Sequence, residues 1–416
     1  MSPATKLEVD QARLTRELAE LAAISTEPPP VVTRVVFTEA DMRARRYVQD
    51  LCTDAGLEIC HDPVGNTFAR LKGTKSDLPV VATGSHIDAI PNAGSYDGTV
   101  GVLGGLEAIR TLVRANVRPE RSIELIIFTS EEPTRFGIGC LGSRLMAGIL
   151  EPSADETLKD ASGASLMQVR QAAGFQGALS QVRVQPGHYH AFVELHIEQG
   201  PLLEQHGNEI GIVNAIAAPA TLRIQLTGEG GHAGAVLMPQ RRDAFVAAAE
   251  IALAVERAAI ATSSIDTVAT TGKVEVFPGA VNSVPSGVKL EIDVRDIDGE
   301  RRDRVLQQIQ AAAREISVRR NIECKLEVLN ADLPARCAAE IVQLLTEGAA
   351  SHGMKAEQMI SRAYHDSLFM SRIAPTAMIF VPSRAGVSHR PDEYSSPESI
   401  AQGTLLLATV LRRLAS

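Results

Sequence analysis

The sequence predicts an α/β protein of two domains: a larger one built on a mixed sheet with helices on both faces, and a smaller α+β domain inserted into it. Three observations carry this expectation. The chain has 416 residues, and single hydrophobic cores stop growing beyond about 250–300 residues. Four short apolar runs rich in Val and Ile, LPVVATGSHID, SIELIIFTSEE, AFVELHIEQG and TAMIFVPS, end in polar residues and are separated by helical stretches, as buried strands of an α/β sheet are. Between about Asn214 and Asn330 the order becomes strand, helix, two strands, helix, strand, which is the ferredoxin-like succession. The domains are therefore drawn at 1–213 with 331–416, and at 214–330.

The elements follow in order. Leu7, Leu14, Leu18 and Leu21 share one face of a helical stretch running to Ile24, with Arg13, Arg16 and Glu20 off it, and Pro28-Pro29-Pro30 ends it. A second helical stretch precedes the first apolar run. After Asp97, Val100, Leu103, Leu106, Ile109 and Val113 recur at helical spacing. In the inserted part, TLRIQLTG leads through a Gly-rich loop to an Ala-rich helix from Asp243 to Ala259. Then come the strands VATTGKVEVF and VKLEIDVRD, a helix from Gly299 to Val318, and the strand IECKLEVL. Sheets of this open kind bind ligands beyond the carboxyl ends of their strands, where the polar endings of the apolar runs fall.

Composition excludes several classes. Hydrophobic residues are 45% and charged residues 22%, the range of a globular protein. The net charge of −9 and the lack of a long basic stretch argue against a nucleic-acid partner. No apolar run approaches the ~20 residues that span a bilayer, so no membrane partner is expected. MSPATKLEVDQARL has no apolar core for a signal peptide, and the five dispersed cysteines contain no C-x-x-C pair, so a cytoplasmic location is expected.

The chemistry gathers at the strand ends. His86 and Asp88 stand two apart in GSHID, and Asp97 follows in SYDGTVG. Glu131 and Glu132 are adjacent in FTSEEPTRFG, His196 and Glu198 repeat the H-x-[DE] spacing in LHIEQGP, and His389 lies in GVSHRPDEYSS. Taken singly, such a His reads as a hydrogen-bonded loop residue and the Glu pair as a solvated edge. Together, imidazoles and carboxylates are the donor set of Zn²⁺, Mn²⁺ or Co²⁺, and three His with two carboxylates suffice for two ions sharing one carboxylate. Pro133 supports a turn at Glu131-Glu132, since it cannot donate to a sheet ladder.

GSHID-x8-DG, SEEPTRFG, HIEQGP, GGHAG, NSVPSG, DVR and GVSH together resemble the amidase branch, of hydantoinase/carbamoylase type, of the dinuclear-metal aminoacylase and carboxypeptidase family. The resemblance runs from about Thr38 to the C-terminus. It implies two divalent ions per subunit, Mn²⁺ first with Zn²⁺ or Co²⁺ as alternatives, and an inserted lid domain that forms a homodimer. It implies that His86 and His196 bind one ion, Glu132 and His389 the other, that Asp97 bridges them, and that Asp88 orients the His86 ring. Glu131 would be the general base that takes the proton of the attacking water and delivers it to the leaving nitrogen. Related peptidases carry a carboxylate where His196 stands, which favours the amidases.

For the substrate, the resemblance implies that His232 of GEGGHAG reaches the partner subunit's site as an oxyanion donor. Asn282 and Arg295 would hold a carboxylate, and Gln199 would lie near a ureido group. Arg295 has a second reading as a surface strand-end salt bridge, and Gln199 one as a structural turn amide. Tyr364, His365 and Asp366 in SRAYHDSLFM, with GSHIDAIP and CLGSRLMAG, look most like the members acting on ureidoglycolate, Tyr364 and His365 being substrate contacts. Tyr364 also reads as a packing residue with its hydroxyl in water. The implied reaction is hydrolysis of the carbamoyl C–N bond of a small ureido acid in purine catabolism. The same chemistry on an N-carbamoyl-L-amino acid, N-carbamoyl-β-alanine or allantoate is the alternative, and a non-catalytic binding protein or an aminopeptidase are the more distant ones.

Overall fold

In the computed structural model, which describes residues 6–416, the chain clusters into two units. One runs through Asn214 and resumes at Arg336–Met359 and His365–Ser416, and the other comprises Ala215–Ala335 with Ile360–Tyr364. Residues 1–5, the start of the segment read for a signal peptide, lie outside the described residues.

The larger unit is a mixed sheet. In chain order its strands are β1 (Glu58–His61), β2 (Thr67–Leu71), β3 (Val80–His86), β4 (Ile123–Phe128), β5 (Tyr189–Ile197) and β6 (Ile210–Ile216). After the smaller unit, whose strands are β7 to β10, come β11 (Ala335–Arg336), β12 (Ala356–Ser361) and β13 (Thr376–Val381). The sheet order is β11-β6-β13-β5-β3-β4-β2-β1, with β12 paired to β6. The four apolar runs of the sequence are the central parallel strands β13, β5, β3 and β4, and the flanking pairs β6–β13, β2–β4 and β1–β2 are antiparallel.

Alternate residues of these strands enter two different cores. Val81, Leu125, Ile127, Val193 and Leu195 face one, with helices α1 (Gln11–Ala22), α2 (Glu39–Asp54), α3 (Thr99–Arg114), α7 (Ala339–Ser351) and α9 (Pro397–Leu414). Val80, Ala82, Ile126, Phe128 and Phe192 face the other, with α4 (Leu141–Met146) and Met370 of α8 (Asp366–Met370). A sheet covered on both faces needs apolar residues at successive positions, which is why these strands read as unbroken runs. The helix after Asp97 is more enclosed than a stripe implies, with 13 of its 16 residues buried. Its last predicted apolar position, Val113, is however exposed. The first helix ends at Ala22, ahead of the prolines, and Leu7 is buried in front of the Asp10 cap.

The smaller unit is a four-stranded antiparallel sheet of β7 (Ala218–Thr227), β8 (Val268–Phe277), β9 (Gly287–Asp296) and β10 (Glu323–Ala331), ordered β8-β9-β7-β10. Helices α5 (Ala244–Ile260) and α6 (Gly299–Arg320) cover one face. The buried residues of β9 alternate strictly, as on a sheet with one covered face. Asp243 caps α5 by accepting from the Phe245 and Val246 amides, and Asp298 caps α6.

Candidate metal centre and active site

Parallel strands in register deliver side chains to one edge. His86 pairs with Phe128 across β3 and β4, and His196 with Phe380 across β5 and β13, so the carboxyl ends of all four strands are level. His86 and His196 are both buried. His86 Nδ1 donates to the Asp88 carbonyl at 3.0 Å, and His196 Nδ1 to the Ile197 carbonyl at 2.9 Å. Committing Nδ1–H to a carbonyl leaves the lone pair on Nε2, the tautomer a metal ligand needs. Both Nε2 atoms face Asp97 Oδ1, at 3.6 and 3.2 Å.

Asp97 lies just ahead of α3 and presents its second oxygen to a different set. Its Oδ2 is 3.0 Å from His389 Nε2, and His389 Nε2 is 3.4 Å from Glu132 Oε1. Two groups of candidate ligands result, His86-Asp97-His196 and Asp97-Glu132-His389, joined by the one carboxylate. The Gln199 side-chain amide donates to Asp97 Oδ2 at 2.7 Å, while its buried Oε1 has no partner among the described residues.

Gly98 makes the approach of His86 possible. Its φ is +66°, and a Cβ there would fall 2.5 Å from His86 Nε2. Asp88 touches the His86 ring through its backbone carbonyl. Asp88 thus orients the ring as expected, while its carboxylate lies 3.7 Å from Nδ1 and accepts from the Glu131 and Glu132 amides at 3.2 and 3.1 Å. Those two bonds hold the turn, with Ser130 at φ +56°, that separates the adjacent glutamates. Glu131 Oε2 is 3.7 Å from His86 Nε2, and its Oε1 accepts from the Cys140 thiol at 3.4 Å.

The electrostatics describe a site short of positive charge. Burial, then Glu132, Asp366 and Asp97, push the Glu131 carboxyl well above its usual range despite His86. Burial and Asp97 raise Glu132 to about 7. Asp97 is held well below its usual range, because the three imidazoles that face it, His196, His389 and His86, outweigh its burial. The hydrogen bond to Asp97 raises His389 to about 9. Such a cluster is balanced only by extra protons or by cations. Its imidazole and carboxylate donors fit two divalent ions.

His365 packs against His196 with ring centroids 4.4 Å apart and planes tilted by 57°, and forms a third group with Glu194 and His196. The Glu194 oxygens are already engaged by Ser85 Oγ at 2.8 Å and by Ser367 N and Oγ at 3.1 and 2.6 Å. That carboxylate therefore serves the protein's own hydroxyls.

The remaining candidates lie in the smaller unit. His232 is exposed, in a two-residue bridge pairing Gly231 and His232 with Val284 and Ser283. The Asn282 carbonyl, next to that bridge, accepts from the Ala233 amide at 2.8 Å. Arg295 lies near the end of β9 and makes the salt bridge that its other reading anticipated, two bonds to Asp293 at 2.9 and 3.0 Å. Its Cζ is also 5.8 Å from the Tyr364 ring centroid. Sequence reasoning overlooked Cys140, Ser388 and Glu393.

Residues 82–413 match the profile of peptidase family M20/M25/M40. The chain belongs to this family. Among its M20 relatives, the chain is 50% identical to a ureidoglycolate hydrolase of Arabidopsis thaliana, over 99% of this chain and 88% of that one. It is 39% identical to an N-carbamoyl-L-amino acid amidohydrolase of Geobacillus stearothermophilus, over 97% and 98% of the two chains. The crystal structure of AtUAH in complex with (S)-hydroxyglycine superposes with a TM-score of 0.92 at 50% identity, covering 99% of each chain. M20 enzymes are metal-dependent, in keeping with the two ligand groups sharing Asp97.

Proposed function

We propose that the protein is a metal-dependent amidohydrolase of purine catabolism that cleaves the carbamoyl C–N bond of (S)-ureidoglycolate. Water adds to the ureido carbonyl, and the products are ammonia, carbon dioxide and hydroxyglycine, which loses a second ammonia to give glyoxylate. One observation carries the reaction class: the two oxygens of Asp97 face separate ligand sets beside the buried Glu131. The substrate follows from the half-identical relatives named ureidoglycolate hydrolase and from the solved relative holding (S)-hydroxyglycine.

His86 and His196 would hold one divalent ion, Glu132 and His389 the other, with Asp97 between them. Mn²⁺ is the first choice, and Zn²⁺ or Co²⁺ suit the same donors. When bound, such a pair polarises a carbonyl and lowers the pKa of water. Glu131 takes the proton of the attacking water and returns it to the leaving nitrogen, a role supported by its buried carboxylate lying 3.7 Å from His86 Nε2. Asp88 keeps Glu131 and Glu132 apart through their amides. Gln199 spends its amide N–H on Asp97 and offers Oε1 to the ureido N–H groups. Asn282 and Arg295 clamp the substrate carboxylate, a planar fork being suited to it. Tyr364 and His365 contact the hydroxyl-bearing end, and His232 donates to the developing oxyanion.

The smaller unit would serve as lid and homodimer surface, His232 acting on the partner subunit. Phe245, Leu253 and Ile260 on α5 and Val268 and Val274 on the edge strand β8 are exposed, the apolar material a dimer would cover. Five free cysteines accord with the cytoplasm, and no helix among the described residues is long and apolar enough to cross a membrane.

The test is ammonia release from ureidoglycolate, allantoate, N-carbamoyl-L-amino acids and N-carbamoyl-β-alanine, before and after chelation and Mn²⁺ replenishment. Ureidoglycolate is expected to react fastest, with loss on chelation and recovery with Mn²⁺. Preference for a carbamoyl amino acid, the substrate class of the 39%-identical relative, would replace the substrate and keep the mechanism. Indifference to chelation would remove the mechanism.

A further inference from the structure

Glu393 is a buried carboxylate placed between the two loops that carry Asp97 and His389, and nothing in the reaction above uses it. Its Oε1 accepts from the Tyr96 and Asp97 amides at 2.7 and 3.0 Å. Its Oε2 accepts from Ser388 Oγ at 2.9 Å and from the His389 amide at 3.3 Å. One side chain thus clasps the backbone of the shared carboxylate and the backbone of the last histidine. Ser388 Oγ also lies 3.0 Å from Asp97 Oδ2, so its proton is shared between the two carboxylates.

Two backbone features show that this clasp is built in. His389 sits at φ +59°, a left-handed conformation that a non-glycine residue keeps only where its surroundings hold it. Its amide is one of the four donors to Glu393. Opposite, a Cβ on Gly94 would fall 2.3 Å from Glu393 Cβ, so only glycine admits the side chain there.

We propose that Glu393 is a positioning residue that sets Asp97 against His389 and thereby fixes the second ion, the one held by Asp97, Glu132 and His389. This rests on the two-ion reading of the site. Groups that orient a ligand from outside commonly cost about 10–100-fold in metal affinity when removed. The first ion shares Asp97, but its two histidines are oriented by Nδ1 bonds to the Asp88 and Ile197 carbonyls that Glu393 does not touch.

The test titrates metal-stripped wild type, Glu393→Gln, Glu393→Ala and Gly94→Ala with Mn²⁺, reading stoichiometry by equilibrium dialysis and ion pairing by electron paramagnetic resonance. Glu393→Gln keeps the volume and one acceptor for the Tyr96 and Asp97 amides but sets an NH₂ group against the His389 amide. Wild type is expected to take two ions with an exchange-coupled spectrum. All three variants are expected to bind the second ion at least ~10-fold more weakly than wild type, and to lose less affinity for the first, which keeps both of its histidines, with an isolated-ion spectrum at equal loading. Should Glu393→Ala not fold, Glu393→Gln and Gly94→Ala carry the test. Two ions bound at wild-type affinity with a coupled spectrum in Glu393→Gln, accompanied only by a lower melting temperature, would overturn the proposal and leave a structural clasp. A wild type that takes up no Mn²⁺ pair would instead defeat the two-ion reading itself.

Discussion

Glu131 and Glu132 are adjacent, yet one faces His86 Nε2 and the other His389 Nε2. That divergence makes Glu131→Gln informative: turnover should fall at least ~100-fold while metal content by atomic absorption stays near wild type. Joint loss of both would make Glu131 a ligand. Asp366 offers a different kind of check. Burial, then Glu194, lifts its carboxyl to about 8 from an ordinary value of 3.8, and Oδ1 lies 2.5 Å from Ser143 Oγ, which lies 3.2 Å from the Cys140 carbonyl. A proton on Asp366 can pass its hydrogen bond to Ser143 and leave the serine proton for that carbonyl. Between about pH 4 and 8 the unfolded chain has released this proton and the folded one has kept it, so stability falls as pH rises through that window. Asp366→Asn has no such proton to lose, so its melting temperature should decline less than wild type between pH 5 and 8. Parallel curves would contradict a neutral Asp366. At this scale the legible residues were those whose type alone declares chemistry, the histidines and acids at strand ends. Cys140 and Glu393 were illegible because their roles arise from contacts across the fold, and spacing paired Asp88 with His86 without telling that the carbonyl, rather than the carboxylate, makes the bond.

Elements were easier to read than turns. The four central strands stood out because burial on both faces demands unbroken apolar runs, and the alternation in β9 because one face is covered. The enclosure of α3 was less legible, since Gly101, Gly104 and Gly105 pack against the sheet without an apolar signature. Ser130, Gln199 and His389 all adopt positive φ without being glycine, so the turns read near Glu131 and at Gln199 were legible but their left-handed residues were not, and the bend at His389 was not legible at all. On the outer side of α3, buried Glu107 ties the first helix down. It accepts from Arg13 Nη2 at 2.5 Å, Arg114 Nη2 at 2.7 Å and the Asp10 amide at 2.9 Å. Glu107→Ala should cost about 1–3 kcal/mol, the range for stranding buried partners. The lower end is favoured because Arg13 and Arg114 reach water. The urea midpoint reads this loss, and an unchanged midpoint would show that the helix is held by its leucines alone.

For the whole molecule, the division of candidates between units sets the decisive experiment. The candidate metal ligands and Glu131 belong to the larger unit, and His232, Asn282, Arg295 and Tyr364 to the smaller. If His232 serves the partner subunit, mixing inactive His232→Ala and Glu131→Gln proteins should restore up to about a quarter of wild-type turnover, from hybrid dimers with one intact site. A mixture as inactive as its components would place the histidine in its own subunit's reaction. The point where the chain leaves and rejoins the large sheet has a consequence of its own. Asn214 and Cys337 share a rung, the Cys337 amide donating to the Asn214 carbonyl at 3.0 Å. To that ladder, everything between Ile216 and Ala335 is one bend of unusual size, and closing a bend grows costlier only with the logarithm of its length. A much shorter connection from β6 to β11 would close the ladder as well, so the length of what lies between those two strands is not dictated by the sheet itself.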